Sequence, residues 1–228
     1  MARPRGARHR ALEVQERLTA AFPDAECALL HSNPFELLVA TILSAQCTDV
    51  RVNLVTPRLF ERYPTPSDLA AADPEELEEL IRSTGFFRAK ARNLLGMAQR
   101  VEEIYGGEIP RELHDLVSLP GVGRKTGNVV RSVAFGLPGL PVDTHVGRIA
   151  RRLKLTSEDD PVKVETDLCA LVAPEEWGTF SMRLILHGRA TCVSRKPRCD
   201  ACVLSDVCPS AGPVAPSRSA VKGPTLSG

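Results

Sequence analysis

The chain has 228 residues, 43% of them apolar and 4% aromatic, with 29 Lys and Arg against 28 Asp and Glu. That apolar share supports a folded core of one or two domains, and so few aromatics argue against a large β-sandwich. A formal net charge of +1 carries no bulk signature of nucleic-acid binding, so any such reading must rest on local clusters, and no apolar run reaches the ~18 residues that a membrane span needs.

The N-terminus, MARPRGARHR, is basic with no apolar stretch behind it, unlike a secretory signal. Residues 1–9 read as a short arm, and a first helix is expected over 10–22. Asn33-Pro34 opens the next, with Asn33 as cap and Pro34 at the first helical position. FELLVATILSAQ is apolar nearly all round and predicts a buried central helix. A helix from 49 to 62 follows, where Pro57 predicts a kink or a split.

Pro64 and Pro66 mark a turn before a short helix at 67–72. Asp73-Pro74 opens EELEELIRS, which Gly85 ends. A long amphipathic helix covers 87–105 and closes at Gly106-Gly107. Further helices are expected at 111–117, 125–136, 144–153, 162–172 and 175–188. No segment alternates like a strand, so the fold class is all-α. Residues 211–228 are rich in Pro, Ser and Gly and read as a disordered tail.

Three stretches carry chemistry. The first is CVSRKPRCDACVLSDVC, with Cys192, Cys199, Cys202 and Cys208 at gaps of six, two and five. In a reducing compartment, clustered cysteines read as metal ligands rather than disulfides. Four thiolates in 17 residues suit Zn²⁺ or an iron–sulfur cluster, and spacing alone leaves both open. The first gap holds Arg195, Lys196 and Arg198 on a loop stiffened by Pro197. A stiff loop with three cations suits phosphate, although charged loops are commonly just solvated.

The second is LPGVGRKTG, between two helical patterns. Gly121 and Gly123 permit a tight turn that exposes backbone N–H groups, and the following helix start completes an anion site. This is the helix–hairpin–helix pattern that grips a DNA backbone without reading sequence. Lys125 lies at the start of the second helix, where the helix end and any burial favour the neutral, nucleophilic amine. The third is PVDTHVGRIARRL, eighteen residues on. Asp143 either caps a helix or faces Lys125 across a cleft, where it could deprotonate the amine and stabilise charge on a sugar; the residues alone do not separate the two.

Taken together, LPGVGRKTGNVV, VDTHVGR and LHGRATCVSRKPRCDACVLSDVC, with SAQCTDVRVN and GFFRAKARNL, resemble the endonuclease III family of DNA glycosylase/AP lyases over residues 12 to 210. The resemblance implies two helical domains with DNA in the cleft between them. A six-helix bundle would span 27–136, and a [4Fe–4S] domain would combine 10–26 with 137–210. It implies a bacterial, cytoplasmic and nucleoid-associated monomer that removes oxidised pyrimidines and cuts at abasic sites. Lys125 would be the nucleophile, Asp143 the catalytic carboxylate, and the four cysteines the cluster ligands. Gln46 would fill the gap left by the flipped base, with Phe86 or Phe87 as a wedge beside it. Gly121, Gly123, Arg124, Thr126, His145, Arg195, Lys196 and Arg198 would contact DNA.

Four positions depart from the family pattern: Phe86-Phe87 in place of a Leu-Tyr-like pair, Cys47 where Ala is common, Arg183 where Trp is familiar, and Pro57 inside a helix. Two other readings fit parts of the pattern. A monofunctional mismatch glycosylase lacks the hairpin lysine and carries a further C-terminal domain. A non-catalytic iron–sulfur DNA-binding protein has no need of both Lys125 and Asp143.

Overall fold

The computed structural model describes residues 4–211. The expected tails therefore fall largely outside the described residues, at 1–3 and 212–228. Eleven α-helices are present among the described residues, with no strand. They are α1 (Ala7–Ala21), α2 (Pro34–Leu43), α3 (Asp49–Arg62), α4 (Pro66–Ala70), α5 (Pro74–Ile81), α6 (Phe87–Tyr105), α7 (Leu113–Ser118), α8 (Arg124–Ala134), α9 (Thr144–Arg152), α10 (Pro161–Cys169) and α11 (Trp177–Ala190). Short 3₁₀ turns lie at Arg82–Thr84, Pro174–Glu176 and Cys199–Ala201.

The starts follow cap chemistry. Asn33, Thr65, Asp73 and Asp160 each accept a backbone N–H of the first turn, and each is followed by proline. The side chain satisfies an orphan donor, while proline supplies helical φ where no donor is needed. Helix α6 ends at Gly106, which adopts φ 61°.

Two expectations need correction. Helix α1 begins at Ala7, so residues 7–9 are helical rather than part of an arm. Gly6 at φ 72° turns the chain into it, and Ala7 is buried in the core. Helix α3 runs unbroken through Pro57. Pro57 is exposed, so its ring stays out of the core, and of the expected kink or split the split does not occur.

Buried apolar side chains form two clusters. One runs from Leu29 to Val130 and is centred on α2, whose residues Phe35 and Leu37–Leu43 are all buried. The other joins α1 to α9, α10 and α11, from Leu140 to Leu204. Helix α8 packs on α2 and α7 and also meets α11. Gly178 allows that meeting, since a Cβ there would come within 2.7 Å of Ser132 Cβ. Asn128 of α8 donates to the Leu140 carbonyl at 3.3 Å. No helix among the described residues is long and apolar enough to cross a membrane.

Candidate active site, cluster pocket and nucleic-acid face

The hairpin between α7 and α8 is built by close approach. Leu119 accepts from the Val122 N–H at 3.1 Å, and Gly121 lies at φ 77° with its Cα against Asn93 of α6. Gly123 caps α8 in extended conformation with open space where a Cβ would be. Lys125 is in the first turn of α8 and exposed; Thr126 beside it is half-buried.

Asp143 caps α9. Its Oδ1 accepts from His145 N and Val146 N, both at 2.8 Å. The cap thus uses one carboxylate oxygen only. Lys125, Asp143 and His145 line one groove of about 520 Å³ between the starts of α8 and α9. Capping and facing Lys125 are therefore compatible roles for the one carboxylate. His145 Nδ1 accepts from Arg148 at 3.1 Å, which orients the ring along α9.

Arg124 is not brought to this groove. Its guanidinium donates to both oxygens of Glu165 on α10, at 2.8 Å each. That pair lines a different recess with Trp177 and Asn128.

Gln46 and Phe86 lie in two short connections, after α2 and before α6. Both take left-handed backbone, at φ 53° and 49°. Gln46 is exposed, and Phe86 is 66% exposed. Bulky residues seldom hold this conformation without a functional or packing reason. Phe87 instead packs against the first core, its ring flanked by Arg82 and Arg88. Of the two phenylalanines, only Phe86 projects.

Cys192, Cys199, Cys202 and Cys208 line one pocket with apolar walls from Ile149, Leu153 and Leu204. None of the four is joined in a disulfide. Among the described residues, no three His, Cys, Asp or Glu side chains converge as ligands of one metal ion. Four cysteine sulfurs lining one pocket with apolar walls fit a multi-iron cluster, which takes one thiolate per iron. Burial pushes the Cys202 and Cys208 thiols up, so a bound cationic group is what would hold them as thiolates. The Leu204 N–H points at Cys202 Sγ at 3.4 Å.

The loop between Cys192 and Cys199 is fastened to α9. Arg152 donates to Cys192 Sγ at 3.2 Å and to the Val193 and Ser194 carbonyls at 2.8 and 2.9 Å. Arg148 donates to the Cys192 carbonyl at 2.9 Å. Arg195, Lys196 and Arg198 are left exposed. Sequence reasoning passed over both arginines, although RIARR places them four apart on one helix face. It also passed over Lys90, which interrupts the apolar stripe of α6 that continues through Leu94, Met97 and Val101.

The chain matches known proteins along most of its length. Residues 39–174 match the HhH-GPD superfamily base excision DNA repair proteins, and residues 192–208 match the iron–sulfur binding domain of endonuclease III. The chain is 52% identical to endonuclease III of Synechocystis sp. over 90% of its own length and 94% of that protein. It is 49% identical to the Bacillus subtilis enzyme over 85% of its length and 89% of that one. A solved non-covalent endonuclease III–DNA complex superposes with a TM-score of 0.85 at 46% identity, covering 90% of this chain and 96% of that one. A trapped covalent endonuclease III–DNA intermediate matches equally well. Identity at this level, carried along nine-tenths of the chain and through the same helical architecture, makes this protein a member of the endonuclease III family, a base excision repair DNA glycosylase/AP lyase with a [4Fe–4S] cluster.

Proposed function

We propose that this enzyme binds duplex DNA, releases oxidised pyrimidines and cuts the strand, with Lys125 as nucleophile and Asp143 as the carboxylate that serves it. The observation that carries the assignment is the groove shared by these two residues at the N-termini of α8 and α9. The damaged nucleotide leaves the stack and enters this groove. The neutral Lys125 amine attacks C1′ of the sugar with its lone pair, and the Asp143 oxygen not used in the cap takes the proton that nitrogen sheds once the C–N bond has formed. The N-glycosidic bond breaks and its electrons leave with the base. The same carboxylate stabilises positive charge as it builds on the sugar ring. The C1′–O4′ ring bond then breaks, O4′ takes the proton held by Asp143, and Lys125 is left joined to C1′ as an imine. Loss of a C2′ proton into that electron sink expels the 3′ phosphate by β-elimination.

The other residues hold the DNA. The backbone at Gly121 and Gly123, with Thr126, seats a phosphate at the start of α8. Gln46 fills the space of the flipped nucleotide, Phe86 wedges beside it, and His145 contacts the backbone next to the groove. Arg195, Lys196 and Arg198 meet phosphates on the far side of the lesion. Cys192, Cys199, Cys202 and Cys208 hold the cluster. When bound, the cluster supplies a four-point cross-link that fixes the basic loop against α9.

The two buried clusters support a division into a helical domain of 27–136 and a cluster domain of 10–26 with 137–210. The enzyme acts as a monomer in the bacterial cytoplasm at the nucleoid, where free thiols persist. The test is borohydride trapping on a duplex with one thymine glycol. Wild type should form a covalent adduct, and Lys125→Ala should form none. Base release without an adduct from wild type would make the enzyme monofunctional and overturn the lysine assignment.

A further inference from the structure

Lys90 is a charged side chain in the core of the first cluster. It stands at the fourth position of α6 and is 4% exposed. Its Nζ donates to the Leu43 carbonyl and to the Thr84 carbonyl, both at 2.8 Å. Burial lowers its pKa. An ammonium costs free energy to bury, and an apolar residue in this stripe would serve packing better. The reason for a lysine lies in what it joins. Leu43 is the last residue of α2, three before Gln46; Thr84 ends the 3₁₀ turn, two before Phe86. Both carbonyls stand at the C-terminal ends of helical elements, and each segment then turns into left-handed backbone, at Gln46 and at Phe86.

We propose that Lys90 is a positioning residue: a single ammonium that ties the Gln46 connection to the Phe86 connection and so sets the separation at which the two side chains enter the duplex. The proposal rests on the reading of Gln46 and Phe86 as inserted residues. A residue that only fills the core would leave the two connections independent. A tie makes insertion concerted, so its loss falls on opening the duplex and not on chemistry at C1′.

The test uses the full, cluster-loaded chain as wild type, Lys90→Met, Lys90→Gln and Gln46→Ala. Methionine keeps the length of the stem without a donor; glutamine keeps a neutral donor and decides the matter if the methionine variant does not fold. Two substrates separate the roles: a duplex with one thymine glycol, and single-stranded DNA with an abasic site, which has no stack to open. Single-turnover base release from the duplex should fall roughly 10- to 100-fold in the Lys90 variants, the scale of a misplaced contact. Borohydride trapping on the single strand should stay close to wild type. A 2-aminopurine opposite an uncleavable abasic analogue should brighten on binding wild type and respond less to the Lys90 variants. Equal losses on both substrates would make Lys90 a structural residue, and unchanged duplex kinetics would remove it from the reaction; either overturns the proposal. A 2-aminopurine response in Gln46→Ala equal to wild type also overturns it, because then nothing is inserted for Lys90 to position. Failure of wild type to trap abasic DNA is a separate result, and it strikes the lysine mechanism alone.

Discussion

The hairpin glycines have different physical reasons to be glycine, and a pair of substitutions separates them. Gly121 lies at φ 77°, and an added Cβ would come within 2.7 Å of Asn93 Cβ on α6. Left-handed backbone costs a non-glycine residue about 1–2 kcal/mol, and overpacking adds about 1–3 kcal/mol. Gly121→Ala should lower stability by about 2–5 kcal/mol, or Tm by roughly 4–20 °C for a chain of this size. Gly123 has ordinary φ and nothing within 4 Å of an added Cβ. Gly123→Ala should lose under about 1 kcal/mol, the N-cap preference of glycine over alanine. Its methyl would stand where phosphate approaches the first N–H groups of α8. Loss of one charge-assisted bond of about 1.5–3 kcal/mol weakens binding by roughly 10- to 100-fold. Thermal melting by circular dichroism and anisotropy on an abasic-analogue duplex at fixed salt read the two effects. Equal melting of the two variants would refute the steric account of Gly121. Wild-type affinity in Gly123→Ala would refute the phosphate seat.

Asp143→Asn should melt with wild type, because asparagine caps as well as aspartate, yet should lose about 10²–10⁴-fold in base release; Asp143→Ala should show the same loss with about 1 kcal/mol of stability gone as well. Arg124→Ala should cost about 1.5–3 kcal/mol in urea denaturation, since it strands a carboxylate whose side chain is 10% exposed. Glu165→Ala should cost less, because the Arg124 side chain, 46% exposed, can be solvated instead. Replacing Arg195, Lys196 and Arg198 together by alanine should flatten the log–log salt dependence of binding by about 0.9 for each phosphate no longer neutralised. An unchanged slope would take the loop off the DNA.

The helices were legible because their ends are written in local chemistry. Asn33-Pro34, Asp73-Pro74 and Gly106 act within one turn, and each stands where its cap rule puts it. Pro57 offered a kink or a split by the same local rule, and the split does not occur, since α3 continues to Arg62. Lys125, Asp143 and the four cysteines were legible as motifs, yet their convergence on one groove and one pocket depends on tertiary packing of α8 on α2 and of α9 on α11. Arg124 shows the limit. As a cation in a hairpin motif it reads as a DNA contact, and only the placement of α10 reveals Glu165 as its partner. Arg183 is similar: nothing local to MRLILHGR marks it as buried, and the fold makes it a tie from α11 to the Phe22 carbonyl at the end of α1.

The non-glycine residues held in left-handed backbone divide by what surrounds them. Four non-glycine residues among those described have positive φ: Gln46, Phe86, Lys154 and Lys196. Lys154 is accounted for by the end of α9. The Leu155 N–H returns to the Ala150 carbonyl at 2.9 Å and the Lys154 N–H to Arg151 at 3.0 Å, which is the paired bonding of a Schellman stop. No such stop surrounds the other three. Phe86 precedes a helix instead of ending one, Gln46 lies beyond the cap of α2, and Lys196 sits in a loop fastened at Cys192 through Arg148 and Arg152. Each is exposed, so burial of its side chain does not offset its conformation. Strain of about 1–3 kcal/mol per residue persists only where surrounding structure overdetermines it. Here that structure is the Lys90 tie for two of them and the clamped cysteine loop for the third. The fold thus holds three solvent-facing side chains in strained backbone, which is the arrangement expected of groups preset for a partner that enters from outside.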